Sequence, residues 1–199
     1  MPARDRTASS AVTETTLEPV SDLAFARTTL EAYLPRDDEQ RALQAQLLDW
    51  IEAHPVDAHR RECLAGHLTA GALLVDEARE RVLMNHHEKL DLWLHFGGHC
   101  DGDANLRGVA WRETVEESGI EPAWLSPSPI DLDVHRIPPR PGEPEHLHLD
   151  VRYLARAPEG AVERCSAESR ELRWLTPVEA RGLDLDASVT RLIDLAFLR

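Results

Sequence analysis

The 199-residue sequence predicts an α/β domain in which a mixed β-sheet is covered by helices on two faces, with an added N-terminal helix ahead of it. Three observations predict it. Segments of strand character stand before and after one central helical segment, helical patterns occupy both ends, and the apolar periodicity switches between the two kinds of element along the chain.

Residues 1–20 are rich in Ser, Thr, Ala and Glu with little apolar periodicity, so a loose tail is expected there. Residues 21–58 form a helical extension: Leu43, Leu47, Trp50 and Ile51 recur at helical spacing, Asp37 and Asp38 suit a first turn, and Pro55 lies beyond the end. Residues 59–199 are expected to be the catalytic domain. Segments 67–76 and 81–86 read as a hairpin, and a third strand follows at 92–96 before the Gly97-Gly98 break. The central helix runs over about 105–118, with Gly119 placed to end it in a left-handed conformation. Further strands are expected at 130–137, 146–155 and 170–175. Pro138, Pro139, Pro141 and Pro144 mark an extended loop between the first two. Thr176-Pro177 opens a short helix, and a last helix spans about 188–198.

A net charge of −14 opposes binding to nucleic-acid polymers or anionic membranes, because a polyanion is repelled over most of such a surface. A phosphorylated small molecule then needs a local cationic or metal-bearing site. Cys63, Cys100 and Cys165 are odd in number and lack zinc-knuckle spacing, and no apolar run follows the first residues, so a reducing cytoplasm is expected.

The chemistry is concentrated in residues 98–120, GHCDGDANLRGVAWRETVEESGI. Glu113, Glu116 and Glu117 stand three and four residues apart, which brings their carboxylates together on one helix face. Carboxylates crowded in this way repel one another unless a cation sits among them, and hard ions such as Mg²⁺ and Mn²⁺ prefer oxygen ligands. Leu106, Val109 and Ala110 project to the same side as Glu113 and Glu117, so these acids continue an apolar stripe and point inward. An inward carboxylate needs a partner, which a metal supplies.

At these residues the chain resembles the Nudix hydrolase family, whose signature is G-x5-E-x7-R-E-U-x-E-E-x-G-U with U a bulky apolar residue. Gly98, Arg112, Glu113, Glu116, Glu117, Gly119 and Ile120 match in type and spacing. Two positions depart: Ala104 replaces the early glutamate and Thr114 the first U. The family's early glutamate commonly braces the arginine, so Arg112 needs another partner, for which Asp101 and Asp103 are candidates. The resemblance implies a Nudix-type α/β/α sandwich and Mg²⁺- or Mn²⁺-dependent hydrolysis of a diphosphate linkage in a nucleoside diphosphate derivative or similar small molecule. It implies catalytic roles for Arg112, Glu113 and Glu117, and metal ligation by Glu113, Glu116, Glu117 and the Gly98 carbonyl. For the general base Glu113, Glu143, Glu145 and Glu168 stay open. The run GGHCDGD with the later HLHLD resembles a bacterial Nudix subgroup without pointing to one substrate, and a homodimer is compatible with the family.

His146, His148 and Asp150 alternate along one strand and so share a face, with His135 a neighbour. They suit either a second metal site, phosphate contacts or a hydrogen-bonded strand face. His99, Lys89, Arg136, Arg140 and Arg152 are candidates to receive phosphate, and Trp93 and Tyr153 to stack on a base, although both lie in strand patterns where core packing competes. Two other functions fit the same fold: a Nudix-like module that senses a nucleotide without cleaving it, suggested by Ala104, and an isopentenyl-diphosphate isomerase-like enzyme, suggested by His99 and Cys100.

Overall fold

The computed structural model describes residues 17–198; the loose tail expected at the N-terminus falls mainly on residues 1–16, which lie outside the described residues. Two helices come first, α1 (Leu23–Glu31) and α2 (Asp38–Ala53), where the sequence predicts one. The α2 helix begins as expected, with the Asp37 side chain accepting from the Gln40 N–H at 2.8 Å. The α1 helix was not anticipated because its buried stripe is sparse, Leu23, Ala26 and Leu30 alone. Its interior also carries Thr28 and Thr29, whose hydroxyls donate back to the Ala24 and Phe25 carbonyls.

Strand β1 (Gly66–Val75) is the spine of a mixed sheet. It pairs in parallel with β7 (His146–Arg156) over ten residues, from Gly66 opposite Leu147 to Val75 opposite Arg156. On its other edge its C-terminal end pairs antiparallel with β2 (Val82–His87), and its middle, Thr69 to Ala72, with β4 (Phe96–His99). The strand expected at 92–96 is divided at His95. Its first part, β3 (Leu92–Leu94), pairs with β2, and β4 crosses to β1. The sheet is completed by β5 (Trp124–Leu125) and β6 (Asp131–Ile137) along β7, and by β8 (Ser169–Leu175) along β2. β5 is two residues long, too short to show any period in the sequence.

Side chains alternate across β1 and split the interior in two. Leu68, Ala70, Ala72 and Leu74 pack with α1, α2 and α3 (Leu106–Ser118) on one face. Leu73 and Val75 pack with α4 (Pro177–Ala180) and α5 (Ala187–Phe197) on the other. This is the expected α/β/α sandwich.

The α2 helix is fastened to the sheet by one buried amide. Gln40 accepts from the Leu132 N–H at 2.9 Å and donates to the Leu132 carbonyl at 3.0 Å, as a neighbouring strand would at the edge of β6. The Tyr33 hydroxyl donates to the same Gln40 oxygen at 2.6 Å. Gln40→Ala leaves these buried groups unpaired, so a loss of about 2–4 kcal/mol is expected in chemical denaturation, whereas the exposed Gln46→Ala should change stability by less than about 0.5 kcal/mol.

Candidate active site

Helix α3 starts at Asn105, whose side chain accepts from the Gly108 N–H at 3.1 Å, and ends at Gly119 with φ +70°, the left-handed stop expected of it. These two caps fix the phase of the helix. Its apolar residues Leu106, Val109 and Ala110 are buried against the sheet, and the same rotation directs Glu117 inward while Glu116 stays exposed.

Glu117 is 8% exposed and accepts a hydrogen bond from the Gly97 N–H at 3.1 Å. Burial pushes its carboxyl up to about 8, against the Gly97 hydrogen bond, and the nearby Glu113 charge adds to the rise. Glu113 is also raised by burial, partly offset by Arg112. Its carboxylate lies against the Cα of Gly98: a Cβ built there would stand 2.8 Å from the Glu113 Cδ. Glycine is required at 98 by this close approach, because any side chain would displace the acid.

Arg112 donates to the His99 carbonyl at 3.1 Å and to Glu113 at 3.0 Å, and stands 3.7 Å from Asp103. Asp103 therefore serves as the arginine's acidic neighbour in place of the glutamate missing at 104, and Asp101 pairs instead with Arg61 at 2.6 Å. Ala104 is fully buried, and its N–H donates to the Val20 carbonyl at 2.5 Å. The Val20 N–H donates to Asp103 at 2.9 Å, so the chain just before α1 is laid across the start of the box.

These groups open into one cleft of about 1560 Å³, which also contains His99, His146, His148 and Asp150. Strand pairing sets His148 beside both His67 on β1 and His135 on β6. His67 escaped the sequence reading because only the parallel β1–β7 ladder brings it here. Burial pulls His99 down to about 4, helped by Arg61, and burial with neighbouring imidazoles pulls His148 far below its usual range. His135 goes the other way: burial opposes its charge, but the hydrogen bond with Asp133 and the charges of Asp150 and Asp133 together outweigh it. Asp150 accepts from the Thr69 hydroxyl at 3.0 Å and lies 3.6 Å from His95.

Several expected substrate contacts are taken up otherwise. Arg152 is 1% exposed and ion-paired with Asp131 at 2.7 Å and Asp133 at 3.3 Å, so its charge is already matched inside the protein. Tyr153 is fully buried in the core, and Trp93 stacks on His86 with ring centroids 4.8 Å apart. Arg136 lines the cleft but is paired with Glu145, whereas Lys89 and Arg140 stand exposed along its rim. Of the candidate bases, Glu113, Glu143 and Glu168 border the cleft. Cys100, needed by the isomerase alternative, is 1% exposed, and burial raises its thiol well above the usual range.

An α/β/α sandwich that brings the acids of one helix against a Gly-Gly strand defines the protein as a hydrolase of the Nudix class. The model of the NUDIX domain matches residues 66–193, and the chain belongs to that family. No curated protein sequence matches the chain at a significant level. Among solved structures it resembles a NUDIX-family hydrolase from Clostridium perfringens, with 21% identity, TM-score 0.51, and 65% of this chain and 97% of that chain covered. It also resembles the NUDIX domain of Shewanella oneidensis NrtR complexed with ADP ribose, with 18% identity, TM-score 0.55, and 73% and 95% covered. The E. coli dihydroneopterin triphosphate pyrophosphohydrolase is similar at 18% identity and TM-score 0.53, with 64% and 92% covered. At these identities the likeness is one of fold. Among the described residues no helix is long and apolar enough to cross a membrane.

The Glu117 shift has a thermodynamic consequence. Its carboxyl rises on folding from 4.5 to about 8, so without metal the folded state holds the extra proton through this window, and the associated stability is lost as pH rises toward 8. The melting temperature of chelator-treated protein, measured relative to Glu117→Gln, should therefore fall between pH 5 and 8. A pH-independent difference between the two proteins would contradict this environment for Glu117.

Proposed function

We propose that the protein hydrolyses a diphosphate linkage in a nucleoside diphosphate derivative or similar small molecule, with Mg²⁺ or Mn²⁺ held by Glu113, Glu116, Glu117 and the Gly98 carbonyl. The observation that carries this reading is the pair of inward carboxylates on one helical turn, Glu117 buried and Glu113 half-buried. Glu113 and Glu117 are taken from water, and both have raised pKa values that a bound cation would reverse. Their oxygen-only donor set fits a hard divalent ion, and Nudix hydrolases generally use divalent metals.

When bound, such an ion offsets charge on the diphosphate oxygens and acidifies a water. The chain's own residues do the positioning. Arg112 holds Glu113 against Gly98 and ties it to the His99 carbonyl, so helix and strand keep a fixed separation. The Gly97 N–H orients Glu117. Lys89 and Arg140 at the rim offer charge to the polar end of a substrate in a chain that is otherwise strongly acidic. Glu113, Glu143 and Glu168 border the space where a water would be deprotonated.

The test is a hydrolysis screen over nucleotide sugars, dinucleotides and other diphosphates with Mg²⁺ or Mn²⁺. Turnover of at least one substrate class is expected, lost on chelation. Glu117→Gln should lower kcat by on the order of 10²–10³ with the circular dichroism spectrum retained. Gly98→Ala, which displaces Glu113, should cost on the order of 10². Tight nucleotide binding without cleavage under every metal would overturn the hydrolytic reading in favour of a sensing domain.

A further inference from the structure

We propose that His67, His146 and His148 form a second metal site, separate from the glutamate cage, that takes a borderline transition ion of the Zn²⁺ type and discriminates against Mg²⁺. One ligand atom from each of the three lies within 4.8 Å of the others. The Nε2 atoms of His146 and His148 face each other at 3.2 Å. Two nitrogens on a tetrahedral ion with bonds of about 2.0–2.1 Å are separated by roughly 3.3 Å, so this pair already has the spacing of two ligands of one ion.

The outer hydrogen bonds point the same way. His146 Nδ1 is 2.9 Å from the Pro144 carbonyl, and His67 Nδ1 is 3.4 Å from the Cys63 carbonyl. A carbonyl only accepts, so in both rings Nδ1 carries the hydrogen and Nε2 presents a lone pair. This is the arrangement by which proteins orient imidazole for a metal, with the far nitrogen held by a backbone oxygen. His67 is 3% exposed, and its Nε2 has no hydrogen-bond partner among the described residues. A polar strand face held by hydrogen bonds accounts for His146 and His148 but leaves that atom orphaned, which is costly in a buried site. A cation among the three rings satisfies it.

The position is rigid. His67 and His148 are register partners across the parallel β1–β7 ladder, and His146 lies one pleat along the same face of β7. His99 stands beside them, its ring centroid 5.0 Å from that of His67 and 4.9 Å from that of His148, and with His146 and His148 it borders the cleft that also holds Glu113 and Glu117. Three neutral imidazoles suit Zn²⁺, Fe²⁺ or Co²⁺, whereas Mg²⁺ demands oxygen and keeps its waters. The fourth position of such an ion is available to a ligand in the cleft. The site stands whether or not the diphosphate reading holds.

The probe is Co²⁺ added to the chelator-stripped full-length protein and followed by visible absorption. One tightly held equivalent is expected, with the intense ligand-field bands of four- or five-coordinate, nitrogen-bound cobalt, displaced by Zn²⁺ and unaffected by excess Mg²⁺. His148→Ala and, separately, His146→Gln should weaken uptake by more than about 100-fold, each checked for fold by circular dichroism. Glu117→Gln should keep the bands. Absence of a tight equivalent in the wild-type protein overturns the proposal without reference to any variant. So do bands that survive both histidine changes in folded protein, or that vanish in Glu117→Gln, since the ion would then sit in the glutamate cage.

Discussion

The parallel ladder between β1 and β7 fixes where everything else in the molecule sits. Parallel strands far apart in sequence pair stably only when both faces are covered, and here the alternation of β1 supplies an apolar row to each helical layer. The polar ends of the same two strands lie side by side, which joins His67 to His148 and Thr69 to Asp150. The free edge of β1 then receives β4, and with it Gly97 and Gly98, against which α3 places its acids.

Charge is distributed by the same logic. Away from the glutamate cluster, inward acids have arginines: Asp131 is met by Arg36, Arg152 and Arg191 at 2.7–3.1 Å, and Asp133 is held well below the usual carboxylate range despite its partial burial. At the glutamate cluster the balance is reversed: Glu117 is buried and Glu113 half-buried, and burial outweighs what the Gly97 N–H and Arg112 supply. That contrast between the two acidic clusters is what supports the proposed cation site at the glutamates.

The departures from the family signature are absorbed locally. Asp103 takes over beside Arg112 while also holding the Val20 and Asn105 N–H groups, so one carboxylate joins the arginine, the start of α3 and the chain ahead of α1. Thr114, in place of a bulky apolar residue, is fully buried and satisfies its hydroxyl on the Ala110 carbonyl at 2.7 Å. Both changes keep the helix seated without the usual side chains.

Local pattern alone was enough for the α/β class, the left-handed stop of α3, the start of α2 and the acids of the box, because helix periodicity and capping act between residues a few positions apart. It also placed His146 and His148 on one face, by the two-residue period of a strand. Other features depend on contacts between distant segments. The partner of Arg112 was narrowed to two aspartates, and only the turn geometry, with Arg61 engaging Asp101, selected Asp103. The burial of Arg152 against Asp131, the division of the 92–96 strand between two partners, and the arrival of His67 beside His148 all follow from long-range strand pairing. That pairing is set by the packing of the whole sheet, and no local spacing in the sequence encodes it.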